Sequence, residues 1–486
     1  MSAARKTPNG GAGPITAPLR TGRAAEIGLL VFAAVIVTSA LVIVELNQNR
    51  ALSWQLAWYG GGYLVALAVT HLLVRHFAPY ADPVLMPVAA LLNGLGLVMI
   101  HRLDFAAVAN AAAEGNKGPS LQAPLQLMWT AVALVLFLVV LLVVRDHTKL
   151  QSYAYTIALV GIVFLAVPAV LPARLSEVNG AKIWIKIPGL LSIQPAEFAK
   201  IALIIFAAAF LSSKAGLLNS AGKKFLGLVL PRVRDLGPLV VALIAALGIL
   251  VRGKDLGTSL LLFGTLLVMI YLATSRVSWL IIGLIGFAGG AVLMYYAFGH
   301  VQDRVNIWLH PFADPQGASY QLVQSLFGLG TGGIFGTGLG AGRPDIVPYA
   351  STDFITAALG EELGLVGLTA IIVLYMILTT RGLRTAIAVK DTFGSLLAGG
   401  LAFSLALQVF IIIGGVTRLI PLTGLTTPFL SYGGSSLLAN YVILALLIRI
   451  SDSSRRPAAP PPPKPAPLGE AHTEMVTATR SPAAGR

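Results

Sequence analysis

Ionisable side chains set in long apolar sequence are where this chain could do chemistry, because each costs about 2.5–3.5 kcal/mol at a bilayer centre when left alone. Glu197 and Lys200, in Gln194-Pro195-Ala196-Glu197-Phe198-Ala199-Lys200, are three residues apart and share a helical face. Pro195 suits a first helical turn, whose N–H groups have no intrahelical partner. Glu197 then sits where the helix dipole favours an anion. The pair reads either as a neutralising lock between two helices or as the wall of a polar cavity. A segment rich in lysine and bearing a tryptophan, residues 179–186, leads up to it. Arg252-Gly253-Lys254-Asp255 places two cations beside a carboxylate. That is either a snorkelling turn or a grip for a diphosphate. Arg102 and Asp104 pose the same choice less sharply.

The stretch from about 299 to 352 carries Asp303, Arg304, Trp308, Asp314, Tyr320, Gln321, Arg343 and Asp345. Connections of this length are functional or disordered. Phe312, Leu322, Val323, Leu326 and Phe327 run through it, so it is expected to pack back onto the rest of the chain. Its glycine run, residues 330–340, looks superficially like a nucleotide loop. It follows no predicted strand and lacks the phosphate-binding lysine, so a tightly folded or re-entrant backbone is the better reading. The chain then continues through Asp353 and Glu361-Glu362, and a second polar, glycine-rich stretch spans 423–436. Both need internal partners at membrane depth. No HExxH or GxSxG motif and no metal-spaced pair among the seven histidines occurs, so protease and serine-hydrolase chemistry have no support.

The elements that must hold these residues are membrane helices. Of 486 residues 56% are hydrophobic and 11% charged, against about 25% charged in a soluble domain. With a bilayer ruler of about 20 apolar residues, twelve spans fall near 25–46, 53–74, 83–101, 123–144, 152–171, 194–213, 235–252, 255–274, 277–298, 353–379, 392–416 and 433–450. The fold class is therefore all-α, a polytopic integral membrane protein of about twelve spans. Only Gly253 and Lys254 part the seventh from the eighth, which predicts a tight hairpin. With both termini inside, lysine and arginine favour the inner side about two to one. The termini are thus expected in the cytoplasm and the loop 299–352 on the outer side. The +14 net charge is mainly this topology signal, and no nucleic-acid partner is expected. Residues 1–24 and the proline-rich 451–486 read as disordered cytoplasmic tails flanking a membrane domain over 25–450. The absence of cysteine excludes disulfides and thiolate chemistry.

Five motifs, NGAKIWIKIPGLLSIQPAEFAK (179–200), KDLGTSLL (254–261), DPQGASYQLVQSLFGLGTGGIFGTGLG (314–340), STDFITAALGEELGLVG (351–367) and LTGLTTPFLSYGGSSLLAN (422–440), resemble the RodA/FtsW family of shape, elongation, division and sporulation proteins. The fuller match, with GLVMIHRLD (96–104), is similar to the actinobacterial RodA subgroup. The resemblance implies a ten-span core preceded by two further spans. It also implies peptidoglycan glycosyltransfer: polymerisation of lipid II at the outer face of the bacterial cytoplasmic membrane, in elongation and cell shape, with division the other role. A class B penicillin-binding protein is the implied partner, alongside other elongation or division machinery. The family's catalytic aspartate precedes a Pro-x-Gly-x-x-Tyr pattern, a position held here by Asp314. His310 departs from the family's usual asparagine or aspartate nearby, which argues against it as an essential acid.

The substrate's chemistry agrees with one carboxylate. An α-linked donor giving a β-1,4 product needs a single inverting displacement with one base for the acceptor hydroxyl. The leaving diphosphate needs positive charge from lysine, arginine or a divalent cation such as magnesium or manganese. Asp314 is the expected base. Lys200, Lys254 and Arg102 are candidate diphosphate partners, and Glu197, Asp255 and Asp353 would orient them or hold a metal. The rival readings are a lipid II flippase, whose site would lie at the midplane between repeated halves, and a non-catalytic scaffold for a transpeptidase.

Overall fold

The structure is a computed structural model and describes residues 22–50, 54–115, 120–178, 180–187, 191–220, 222–225, 228–231 and 236–457. Most of the two expected tails, and Asn179, lie outside these residues. The helices are α1 (Arg23–Asn47), α2 (Trp54–Phe77), α3 (Leu85–Ala113), α4 (Gln122–Val143), the single-turn α5 (Lys149–Ser152), α6 (Ala154–Val170), the single-turn α7 (Ala173–Ser176), α8 (Pro195–Ser220), α9 (Gly237–Arg252), α10 (Leu256–Thr274), α11 (Val277–Ala297), α12 (Gly299–Leu309), α13 (Tyr320–Gly332), α14 (Ile355–Ala388), α15 (Thr392–Val416) and α16 (Gly434–Arg455). All twelve apolar segments are helical. Among the described residues ten helices are long and apolar enough to cross a membrane, while α6 and α9 have 17 and 16 residues, near the lower limit of about 17.

Three helices form the inside. α3, α8 and α16 are buried along most of their length, and α11 lies at the opposite extreme, mostly exposed. α16 packs on α4, α14, α15, α8 and α3. Two of its inward charged groups are paired: Arg449 donates to the carbonyls of Phe77, at 2.7 Å, and Leu141, and Asp452 accepts the Tyr80 N–H at 2.8 Å. Buried polar groups survive in an apolar bundle only when paired in this way.

The seventh and eighth spans form the expected hairpin. α9 ends at Arg252, Lys254 takes a left-handed φ of 65°, and Asp255 caps α10 by accepting the Thr258 N–H at 3.0 Å. The third and last helices run further than the apolar ruler suggested, to Ala113 and Arg455. Arg102 and Asp104 therefore lie on a helix, where Asp104 accepts the N–H groups of Gln122 and Ala123 at 2.9 and 2.8 Å and caps α4. Ahead of α8 the chain makes two antiparallel hairpins, β1 (Glu177–Val178) with β2 (Ala181–Lys182) and β3 (Ile185–Ile187) with β4 (Leu191–Ile193).

The long connection folds back as expected, as α12 and α13 with glycine-rich chain after them. That glycine run repairs a broken helix. α14 is interrupted at Gly364 (φ 69°, ψ −171°), a conformation open essentially to glycine alone. The groups freed there pair with the run: Leu365 and Val366 N–H reach the carbonyls of Gly333 and Ile334 at 3.0 and 3.1 Å. Thr337 and Gly338 N–H reach those of Glu361 and Glu362, both at 3.0 Å. A Cβ on Gly336 would run into the Glu362 carbonyl. Irregular backbone is tolerated at membrane depth because its partners are internal.

Candidate active site

Arg304 is the centre of the polar site. It projects from α12 and donates to the carbonyls of Leu422 and Thr423, both at 3.1 Å. Those carbonyls belong to the non-helical segment between α15 and α16, and Arg418 in the same segment clasps α12 by donating to Trp308 and Leu309 carbonyls, each at 2.8 Å. The Arg304 charge also acts on Asp255 and Asp353, and theirs on it. Burial pushes the Asp353 carboxyl up to about 6, against the opposing pull of Arg304 and of the neighbouring Thr352 hydroxyl. Asp255 is raised by burial as well, although Thr258 donates to it through both N–H and hydroxyl, the latter at 2.8 Å. Arg304 itself is lowered by burial, with the two aspartates opposing the shift. His300, one turn earlier on α12, is lowered by burial and then by the charges of Arg304 and Lys254.

Glu197 and Lys200 lie next to this group but are sealed in. Lys200 Nζ donates to Glu197 at 2.6 Å and to Gln408 Oε1 at 2.9 Å, and Gln408 Nε2 donates to the Thr426 carbonyl at 2.8 Å. Both side chains are buried. The pair thus ties α8 to α15 and the 423–433 segment, the locking role of the two that the spacing allowed. It still reaches the site, since Glu197 adds a raising charge on Asp255 and Gln194 donates to Asp255 at 3.3 Å. Lys254 remains an exposed ammonium on the hairpin turn.

Arg102 has other partners. It donates to Glu362 at 3.1 Å and to the Gly342 carbonyl at 2.7 Å. Its charge is matched within the protein, at the glycine run rather than at Arg304.

Asp314 is exposed, in the turn between α12 and α13. Its Oδ2 accepts the Ala318 N–H at 2.9 Å, and its carbonyl accepts those of Gly317 and Ser319 at 3.4 and 3.3 Å. A Cβ on Gly317 would strike the Asp314 carboxylate. The glycine of the Pro-x-Gly-x-x-Tyr pattern is therefore what lets the carboxylate stand where it does. One carboxylate oxygen makes no hydrogen bond among the described residues.

The structure thus brings Asp255 and Asp353 within reach of the Arg304 charge, ties Glu197 and Lys200 to the neighbouring segment, leaves Lys254 on the hairpin turn, holds Asp314 on the turn that continues α12, and pairs Arg102 with Glu362. Arg304 was the residue that spacing did not single out. Its only sequence signal is a cation on a helical face with Val301, Ile307 and Trp308. Among the described residues no group of three or more His, Asp or Glu could hold a metal. The Arg304 charge acts on Asp255 and Asp353, two carboxylates that could hold a divalent cation only together with oxygens of a substrate phosphate.

Fold and site together define a multi-span helical membrane protein with a charged site where α12 meets the non-helical segments of the bundle. Residues 83–456 match the family model of the FtsW, RodA and SpoVE cell cycle proteins, and the chain belongs to that family. It is 58% identical over 462 residues to the peptidoglycan glycosyltransferase RodA of Mycobacterium tuberculosis, across 95% of this chain and 97% of that one. The Mycobacterium leprae protein of the same name is 55% identical over the same coverage. A solved structure described as showing structural coordination of polymerization and crosslinking by a peptidoglycan synthase complex matches with a TM-score of 0.59 at 26% identity, covering 78% of this chain and 99% of that one.

Proposed function

We propose that this chain is a peptidoglycan glycosyltransferase of cell-wall elongation that polymerises lipid II into β-1,4-linked glycan, with Asp314 as base and Arg304 at the heart of the diphosphate site. The activity class rests on family membership and on the names of the mycobacterial relatives. The single observation that carries the site is Arg304 gripping the Leu422 and Thr423 carbonyls, with the charges of Asp255 and Asp353 acting on it, on the helix that leads directly into the Asp314 turn.

In the displacement, the acceptor's 4-hydroxyl oxygen attacks the anomeric carbon of the donor. The C1–O bond to the diphosphate breaks, C1–O4 forms with inversion, and the hydroxyl proton passes to Asp314. Asp314 is suited to this because it is exposed to an aqueous saccharide and has a free acceptor oxygen. The diphosphate departs with both electrons of the broken bond and needs a cation rather than an acid. Arg304 and the exposed Lys254 supply that charge. The Leu422 and Thr423 carbonyls hold Arg304 in place, the charges of Asp255 and Asp353 favour its cationic form, and the Glu197–Lys200–Gln408 chain holds the segment whose carbonyls Arg304 grips. A divalent cation bound with the diphosphate would add to the positive charge of Arg304 and Lys254.

The site faces outward and both termini lie in the cytoplasm, a reading supported by the distribution of lysine and arginine. A class B penicillin-binding protein is the partner, supported by the likeness to a peptidoglycan synthase complex. The test supplies purified lipid II in detergent to the protein with its cognate transpeptidase, so that no flipping is needed. Polymer formation supports the glycosyltransferase. No polymer from a folded complex, with lipid II crossing a sealed bilayer in a second assay, would replace it with the flippase.

A further inference from the structure

The family model begins at residue 83, which leaves α1 and α2 outside it. Yet α1 ends against the glycine run. Asn47 Nδ2 donates to the Leu339 carbonyl at 2.6 Å, and Gln48 Nε2 donates to the carbonyl of Gly340. Gly340 has φ 82°, and a Cβ there would meet the Val44 carbonyl oxygen and Asn47 Cβ, each at 3.1 Å. The run therefore sits directly on the last turn of α1. From the opposite side, Glu362 accepts the Gly340 N–H at 2.9 Å, Arg102 binds the Gly342 carbonyl, and Glu361 accepts the Arg343 N–H at 2.7 Å. α1 is joined to the same assembly lower down, where Glu45 meets His101 at 3.2 Å, one residue before Arg102.

Residues 339–343 are thus gripped by their own backbone polar groups from α1 on one side and from α3 and α14 on the other. This segment lies between α13, which begins beside Asp314, and the chain that descends to Asp353. A displacement here is passed to both ends of the site.

We propose that the α1–α2 pair is a built-in clamp for the glycosyltransferase site, and that Asn47 and Gln48 are positioning residues for the reaction, acting through the 339–343 segment. The catalytic part rests on the function proposed above; the clamp itself does not. In relatives that lack these two helices, something else must hold the segment, or it must move more freely.

The test uses the full chain with its transpeptidase, comparing wild type, Asn47→Ala/Gln48→Ala and the isosteric Asn47→Asp/Gln48→Glu, which removes the donors but little volume. Hydrogen–deuterium exchange and lipid II polymerisation are both measured. Faster exchange confined to residues 334–354, with kcat down about tenfold or more and KM little changed, is the result expected of both variants. Restoring a donor in Asn47→Asp/Gln48→Arg should recover part of the rate. Unchanged exchange in 334–354 would overturn the clamp, and faster exchange at wild-type turnover would overturn its role in the reaction. An inactive wild type would count against the function alone, because exchange is read independently of turnover.

Discussion

Asp314 and Gly317 make the sharpest claims at the scale of single residues. Asp314 is exposed and carries little of the fold, so Asp314→Ala should melt with the wild type while losing roughly a hundredfold to ten-thousandfold in polymerisation, the usual weight of a general base. Gly317→Ala should lose rate without Asp314 being touched, since its methyl group would occupy the space of the carboxylate. Both are read by lipid II polymerisation alongside thermal melting. Asp353 makes a pH-dependent claim. Its folded-state value is raised, to about 6 from 3.8, so its contribution to stability is greatest below about 4 and is lost as pH rises through about 6. At pH 8 the ionised carboxylate is a cost to the fold, which it bears in order to face Arg304. Asp353→Asn is expected to raise Tm at pH 8, to leave it nearly unchanged at pH 4, and to lower the polymerisation rate. A lower Tm at pH 8 would contradict this. The Pro-x-Gly-x-x-Tyr pattern made Asp314 a candidate, whereas no pattern pointed to Arg304 and its carbonyl partners. Its backbone partners lie 118 and 119 residues further along the chain, and no local spacing encodes them.

At the scale of elements, apolar length specified the spans well, because lipid demands internally bonded helices. Short strands escaped that ruler. β3 and β4 alternate, as Ile185-Lys186-Ile187 and Leu191-Ser192-Ile193, but runs of three are shorter than the four to eight residues that mark a strand. The break in α14 was also hidden, although its remedy was visible: the glycine run implied close backbone approach without saying against what. Gly364 is the critical point. Gly364→Ala places a Cβ at φ 69° against the Gly336 amide, and should destabilise the protein by about 1–3 kcal/mol, read as a clear fall in Tm in detergent. If Gly364→Ala melts with the wild type, the break is not fixed by that glycine. The Glu197–Lys200 pair shows the limit of spacing in another way. Three residues apart predicted a shared face, but Gln408, which decides that the pair locks helices, comes from α15.

At the scale of the whole molecule, the charge distribution predicts an orientation for the bundle, and the absence of cysteine makes that orientation directly measurable. A single cysteine at exposed Gln316, beside Asp314, should be labelled in intact cells by a membrane-impermeant maleimide. One at exposed Lys149, between α4 and α6, should be labelled only after permeabilisation. The reverse pattern would place the site in the cytoplasm, away from an outer-face polymerisation. The N-terminal pair packs on the core through α1 on α3 and α2 on α4, and the end of α1 also reaches residues 339–340, the contact through which the proposed clamp would act.

The most direct test of the central claim is glycan-chain formation from purified lipid II by the protein and its cognate transpeptidase, wild type beside Asp314→Ala and Arg304→Ala, each shown to be folded. Long glycan from the wild type, none from Asp314→Ala and a severe loss from Arg304→Ala is the predicted result. Wild-type polymer from a folded Asp314→Ala protein would contradict it.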